Sequence, residues 1–261
     1  MDEYHADTPR HHIGILIPTT SRNRAWKKIH ETHFCNLFLK HFIDTRDHQH
    51  KYTIYLVVDH DDPLYNNPTE KKALMNIFLS IKTRNIFLKI IVANDIPKGH
   101  VSLMWNLAFK NAYDDGCEYF FQCGDDIIFM QTGWVSASIN ALKKNKNIGL
   151  TGPMDYDRFI SGPNSQPGGE RFIQTQSFVS RKHMEIFGFY FPEEVKNWYC
   201  DDWMTFTYYP KFFYYIPFFC RNLGGPPRYK VIGSLDVNDP TRKKCFELVK
   251  TSKDKIIDFL I

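Results

Sequence analysis

A chain of 261 residues with 16% aromatic side chains can bury a large core, which excludes a disordered or low-complexity protein. Its formal net charge of +4 suits a small anionic partner and falls short of the clustered basic stripe of a nucleic-acid binder. No apolar run approaches the roughly 20 residues that span a bilayer, and MDEYHADTPRHH (1–12) is too polar for a signal peptide, so a cytoplasmic location is expected.

IGILIPTT (13–20) is a short apolar run closed by Pro and hydroxyl residues, the pattern of a buried strand entering a loop. Trp26, Ile29, Phe34, Leu37, Phe38 and Phe42 then recur at helical steps and predict an amphipathic helix. YTIYLVVD (52–59) is a second strand, ending in Asp59, Asp61 and Asp62. PTEKKALMNIFLSIK (68–82) is a helix opened by Pro-Thr, with Leu74, Ile77, Phe78 and Ile81 on one face. IFLKIIVAND (86–95) reads as a third strand, VSLMWNLAFKNAY (101–113) as a third helix and CEYFFQC (117–123) as a fourth strand that delivers Asp125 and Asp126 at its end.

This alternation predicts an α/β fold with a mostly parallel, doubly wound central sheet flanked by helices. Open sheets of that kind bind ligands beyond the carboxyl ends of their strands. Thr19 to Arg22, Asp59 to Asp62, Asn94–Asp95 and Asp125–Asp126 all fall there.

Past residue 150 the rhythm changes. GPMDYDRFISGPNSQPGGERF (152–172) reads as a long loop, followed by a strand into Ser180, a short helix ended by Gly188 and a helix starting near CDDW. DPTRKKCFELVKTSKDKIIDFLI (239–261) predicts a C-terminal helix docking through Phe246, Val249, Ile256, Ile257 and Leu260.

Six cysteines without a C-x-x-C pair read as buried free thiols, and the histidines at 11–12 and 48–50 as surface residues. Neither a phosphate loop nor G-x-G-x-x-G follows the first strand. The adjacent carboxylates Asp125 and Asp126, framed by apolar residues, repel each other unless a cation compensates. A sheet without a glycine cradle can hold a diphosphate through a divalent cation bound by such a pair.

IGILIPTTSR, YLVVDHDD, VSLMWNLAFKNA and EYFFQCGDDIIF, in that order, resemble the N-terminal half of GT-A fold glycosyltransferases, close to the family 2 type, and SFVSRKHMEIFGFYFPEEVKNWYCDDW is similar to their acceptor-side segment. The resemblance covers roughly residues 12–210. It implies one GT-A-like domain over 1–261, with a nucleotide-sugar half at 12–150, a smaller acceptor-side half at 151–235 and a C-terminal helix at 236–261. It further implies transfer of a sugar from a nucleotide-diphosphate donor, UDP by analogy, to a glycan or other hydroxyl acceptor, with Mn²⁺ or Mg²⁺ as cofactor.

Carried onto this sequence, the resemblance puts Pro18, Thr19, Thr20, Arg22 and Asp59 at the nucleobase and ribose, and Asn94, Lys98 and Asn106 along the donor. Asp125 and Asp126 match the D-x-D metal motif. Asp201 or Asp202 matches the carboxylate that deprotonates the acceptor in inverting members; an ordinary helix cap competes with that role. Trp198, Tyr199 and Trp203 read either as a sugar platform or as packing.

The sequence also departs from the family. Cys123 stands where the first acid of D-x-D is usual, and no late histidine marks a third metal ligand, while Arg228 and Lys230 in PPRYK are available to neutralise diphosphate instead. These departures sustain an alternative: a catalytically degenerate module that binds a glycan or a protein. A sugar nucleotidyltransferase is disfavoured, because PTTSRNRAW lacks the glycine-rich basic loop such enzymes use.

Overall fold

The computed structural model describes residues 10–81, 85–234 and 236–261. The polar segment at the start of the chain, up to Pro9, and Lys82 at the end of the second expected helix lie outside them. In chain order the strands are β1 (His12–Thr19), β2 (Lys51–Asp59), β3 (Ile86–Ala93), β4 (Tyr119–Gln122), β5 (Ile127–Phe129), β6 (Met154–Asp155), β7 (Ser177–Ser180) and β8 (Phe219–Asn222). The α-helices are α1 (Lys40–Thr45), α2 (Pro68–Ser80), α3 (Val101–Asp114), α4 (Trp134–Lys143), α5 (Tyr156–Ile160), α6 (Lys182–Phe187), α7 (Cys200–Tyr208) and α8 (Pro240–Leu260).

The central sheet has the order β3-β2-β1-β4-β7, parallel except for β7, which runs antiparallel to β4. Strand alternation sends Ile13, Ile15 and Ile17 to one face, against α2, α4 and the aromatic segment before α1, and Leu16 to the other, against α3, α7 and α8. Each such fully buried side chain contributes about 1.5–3 kcal/mol of transfer free energy. On the second face Gly14 lets α3 approach closely: a Cβ there would stand 2.9 Å from the Cβ of Ala112. A small second sheet, β5-β8-β6, carries the chain away from the end of β4.

The chain passes from β1 outward to β2 and β3, then returns to place β4 on the other side of β1. A crevice therefore opens between the carboxyl ends of β1 and β4, the switch point where such sheets bind ligands.

Several expectations need correction. The helix predicted from Trp26 does not start there. Glu31 accepts the Lys27 and Lys28 amides (2.6 and 3.1 Å), and Glu70 of α2 accepts the Ile29 amide (2.7 Å), pinning the chain in turns. A π-helical stretch, Phe34–Leu39, then runs into α1, and Phe34, Phe38 and Phe42 stack at 5.9 and 5.3 Å. The expected loop at 152–172 contains β6 and α5, the latter capped by Asp155, whose side chain accepts the Asp157 and Arg158 amides. Helix α8 docks through Cys245, Val249, Ser252 and Ile256, whereas Phe246, Ile257 and Leu260 stay exposed. His50, expected at the surface, is buried, and burial pushes its pKa down to about 4. All six cysteines are free; five are buried and Cys35 is half-buried. Among the described residues no helix is long and apolar enough to cross a membrane.

Candidate active site

The first loop is built by one carboxylate. Asp62, buried, accepts hydrogen bonds from the Thr20 hydroxyl (2.8 Å), the Ser21 amide and hydroxyl (2.7 and 2.8 Å) and the amides of Leu64 and Tyr65 (3.0 and 2.8 Å). Five donors satisfy it without a cation, so its work is to fold the turn after β2 against the end of β1. Asp61, more exposed, takes Arg22 at 2.5 Å and the Lys98 ammonium, and these two cations hold its pKa well below the usual carboxylate range. Asp59 alone of the three faces the crevice, where it accepts a hydrogen bond from the Tyr229 hydroxyl.

Asp125 sits at the end of β4 with 2% of its surface exposed. It accepts the Thr19 hydroxyl at 2.5 Å and is gripped by the Arg228 guanidinium through two hydrogen bonds of 2.8 and 2.6 Å. The same guanidinium lies 3.4 Å from Nδ1 of His33. His33, Asp125 and Asp126 bring one ligand atom each within 4.8 Å of one another, a group that could hold a metal ion. Burial lowers the pKa of His33; Asp125 opposes the shift and Arg228 adds to it, which favours the neutral imidazole that metal coordination requires. Burial and the neighbouring Asp125 push Asp126 up to about 6.

Two glycines make room for the Asp126 carboxylate. A Cβ on Gly224 would stand 1.6 Å from its Oδ2, and one on Gly124 2.4 Å from its Oδ1. Cys123, at the place of the usual first acid, points into the core and is fully buried, with its thiol pKa raised by burial, so it is no ligand. His33 comes instead from the turn that Glu70 pins, far earlier in the chain, and packs edge-on against Trp26 at 4.8 Å.

Residues 224–234 lie as a strap over this crevice. Arg24 donates to the carbonyls of Gly224 and Pro226 (2.9 Å each) and Asn23 to that of Arg228 (2.7 Å). Arg228 also rests 5.5 Å from the Trp26 ring centre. Beneath the strap is a cavity of about 260 Å³ whose walls include Pro18, Thr19, Thr20, Asp59, Asp125 and Asp126.

Asn197 forms a wall of this cavity and of a second, larger one of about 720 Å³. Asp201 and Asp202 open into the second cavity from the first turn of α7. Neither caps that helix: the N-cap is Tyr199, in a left-handed conformation at φ 73°, with no side-chain hydrogen bond. Desolvation, then the Asp202 charge, pushes Asp201 up to about 8, and burial raises Asp202 as well. Trp203 packs in the core, whereas Trp198 is 37% exposed and lines the second cavity.

Of the residues expected at the donor, Pro18, Thr19, Thr20, Asp59, Asp125, Asp126 and Arg228 converge on the first cavity. Arg22 reaches Asp61 at 2.5 Å and Asp59 at 3.9 Å from outside the cavity walls, Lys98 is turned to Asp61, and Asn94 and Lys230 are exposed outside those walls. Asn106 is spent on the backbone: it accepts the amides of Tyr190 and Phe191 (3.0 and 2.8 Å) and donates to the Phe191 carbonyl (2.8 Å). His33, Arg24 and Tyr229 were missed. A third ligand so far away in the chain leaves no spacing signal.

No family model and no curated protein matches the chain. Among solved structures, the crystal structure of S. aureus TarS is similar, at 12% identity and a TM-score of 0.48, over 74% of this chain and 32% of that one. The chain thus spans about a third of the TarS chain it matches. At that distance the likeness assigns no function.

Proposed function

We propose that this chain is a glycosyltransferase that moves a sugar from a nucleoside-diphosphate donor, with UDP as the nucleotide, to a hydroxyl acceptor. The observation that carries the reading is the convergence of Asp125, Asp126 and His33 at the sheet's switch point, beside a second cavity that holds Asp201 and Asp202. Residues 12–150, with Arg228 and its neighbours in the strap, serve the donor, and the rest of 151–235 serves the acceptor.

One imidazole nitrogen and two carboxylates suit Mn²⁺ or Mg²⁺, and the space that Gly124 and Gly224 leave around Asp126 keeps its oxygens available. When bound, such an ion offsets the negative charge that grows on the departing diphosphate. Thr19, Thr20 and Asp59 line the wall for the nucleoside, and Arg24 and Arg228 stand beside the diphosphate position.

Asp201 or Asp202 accepts the proton of the acceptor hydroxyl. The oxygen forms its bond to the anomeric carbon as the carbon–oxygen bond to the diphosphate breaks and the electron pair leaves with the nucleotide. Such a base contributes about 10²–10⁴-fold, and attack opposite the leaving group inverts the anomeric centre.

The grip of Arg228 on Asp125 favours a second reading, a binding module in which an arginine permanently replaces the cation. Calorimetry with UDP, with and without Mn²⁺, separates the two. Affinity for UDP that rises with Mn²⁺ and is lost in Asp126→Asn supports the transferase, with a panel of nucleotide sugars then naming the donor. UDP binding that ignores Mn²⁺, or no UDP binding, overturns it.

A further inference from the structure

The larger cavity gathers three arginines opposite three carboxylates, Glu170, Asp201 and Asp202. Arg158, Arg171 and Arg242 line it together with Asp201, Asp202 and Trp198. Three other arginines are matched by carboxylates, Arg22 by Asp61 at 2.5 Å, Arg221 by Asp157 at 2.9 Å and Arg228 by Asp125 at 2.6 Å, and Arg24, Arg46 and Arg181 donate to backbone carbonyls. Among the described residues, none of the three cavity arginines has a carboxylate within the 4.0 Å of an ion pair. Nε of Arg158 is buried with no hydrogen-bond partner, as are those of Arg22 and Arg46, but Arg158 alone of the three lines this cavity, and its Nη2 reaches only the Arg171 carbonyl, at 3.3 Å. A guanidinium with N–H groups left unpartnered is costly, and an anion entering the cavity it lines would offset that cost.

Resting on the glycosyltransferase reading, we propose that the acceptor is itself an anion: a sugar or polyol bearing a phosphate or carboxylate, which Arg158, Arg171 and Arg242 hold while Trp198 faces its ring or chain. The guanidinium fork matches both oxyanions bidentately, and an exposed indole face suits the apolar side of a sugar. The donor's diphosphate does not account for these residues, because Arg24 and Arg228 stand at the other cavity with the cation group. The neutral form of Asp201 near pH 7 removes one of the opposing charges, leaving Asp202 and Glu170 against three arginines. The same cations, once an anion is docked, fix its hydroxyl against the carboxylate pair.

The test is calorimetric titration with glucose 6-phosphate, glucuronate and glucose, on wild type, on Arg171→Gln/Arg242→Gln and on Arg10→Gln, an exposed arginine outside both cavities. Both arginines of the double variant lie on partly or fully exposed positions, so it folds even if Arg158→Gln does not. The expected result is binding of one or both anions at least tenfold tighter than glucose, weakened about tenfold or more in the double variant and unchanged in Arg10→Gln. The anion that binds tells phosphate from carboxylate. Anion binding no tighter than glucose, insensitive to the double variant, or weakened equally in Arg10→Gln overturns the proposal. Failure of Mn²⁺-linked UDP binding in the same wild-type protein counts against the transferase reading alone.

Discussion

Arg228 and Asp125 form a bidentate pair, at 2.6 and 2.8 Å, at the point where Asp126 and His33 also converge. The side chains are 12% and 3% exposed, so the pair is shielded from solvent. Removing one partner leaves the other charge stranded, which costs about 3–5 kcal/mol. Arg228→Gln is therefore expected to lower stability in urea titrations by roughly 3–5 kcal/mol. Mn²⁺ should restore much of that loss, because the ion takes over the freed Asp125, and should bind the variant at least several-fold more tightly than wild type. A variant that Mn²⁺ does not rescue would mean that the guanidinium and the ion do not compete.

Gly224 tests the cation group without touching a ligand. Its added Cβ meets Asp126 Oδ2 at 1.6 Å, so Gly224→Ala must turn that carboxylate away. The expected outcome is a loss of Mn²⁺ affinity of tenfold or more, read by calorimetry, with an unchanged far-UV circular dichroism spectrum. Wild-type affinity would show that Asp126 is not a ligand.

Asp201 predicts a pH profile. If Asp201 is the base of the proposed transfer, its carboxyl, pushed up to about 8, is mostly protonated at pH 7, so transfer should rise with pH and level off above about 8. Asp201→Asn should cut the rate by about 10²–10⁴-fold and flatten the profile. An unaltered profile in this variant, with the loss appearing in Asp202→Asn, moves the role one residue along.

The same group has a stability signature of opposite sign. Its folded-state pKa lies above the ordinary carboxylate value, so the folded protein holds a proton that the unfolded chain has released between about pH 4 and 8. Stability is full below that window and is lost as pH rises through it. At pH 8.5 Asp201→Asn should be more stable than wild type by on the order of 1–3 kcal/mol, with little difference at pH 4. Thermal melts at the two pH values decide it.

Asp62 should behave as a folding residue. Asp62→Ala leaves two hydroxyl and three amide donors without their acceptor and should cost about 3–5 kcal/mol, while UDP affinity measured in the folded fraction falls only through disorder of the Thr20–Ser21 turn. A variant of wild-type stability would remove Asp62 from that role.

The strands and the polar groups behind them were legible because a buried parallel strand is an apolar run with a sharp end, and β1 to β4 announce themselves in that way. Asp125 and Asp126 stood out because carboxylates inside an apolar frame need a reason. Asp59, Asp61 and Asp62 look alike in the chain and do three different things, which only the donors around each could reveal. Asn106 misled for a related reason: an amide on a helix facing the strand ends looks available until the backbone at 190–191 claims every one of its groups but one hydrogen. Trp26 misled by falling into helical step, although Glu31 and Glu70 hold the turns after it. The arginines of the second cavity come from α5, the turn before β7 and α8, and no local pattern unites them.

Asn197 is the hinge pin between two rooms. Its carbonyl oxygen takes the amides of Trp198 (2.6 Å) and Ile232 (3.0 Å), while its nitrogen holds the Gly99 carbonyl (2.9 Å). The segment that covers the first chamber and the backbone that carries Trp198 into the second are thus anchored to one side-chain amide.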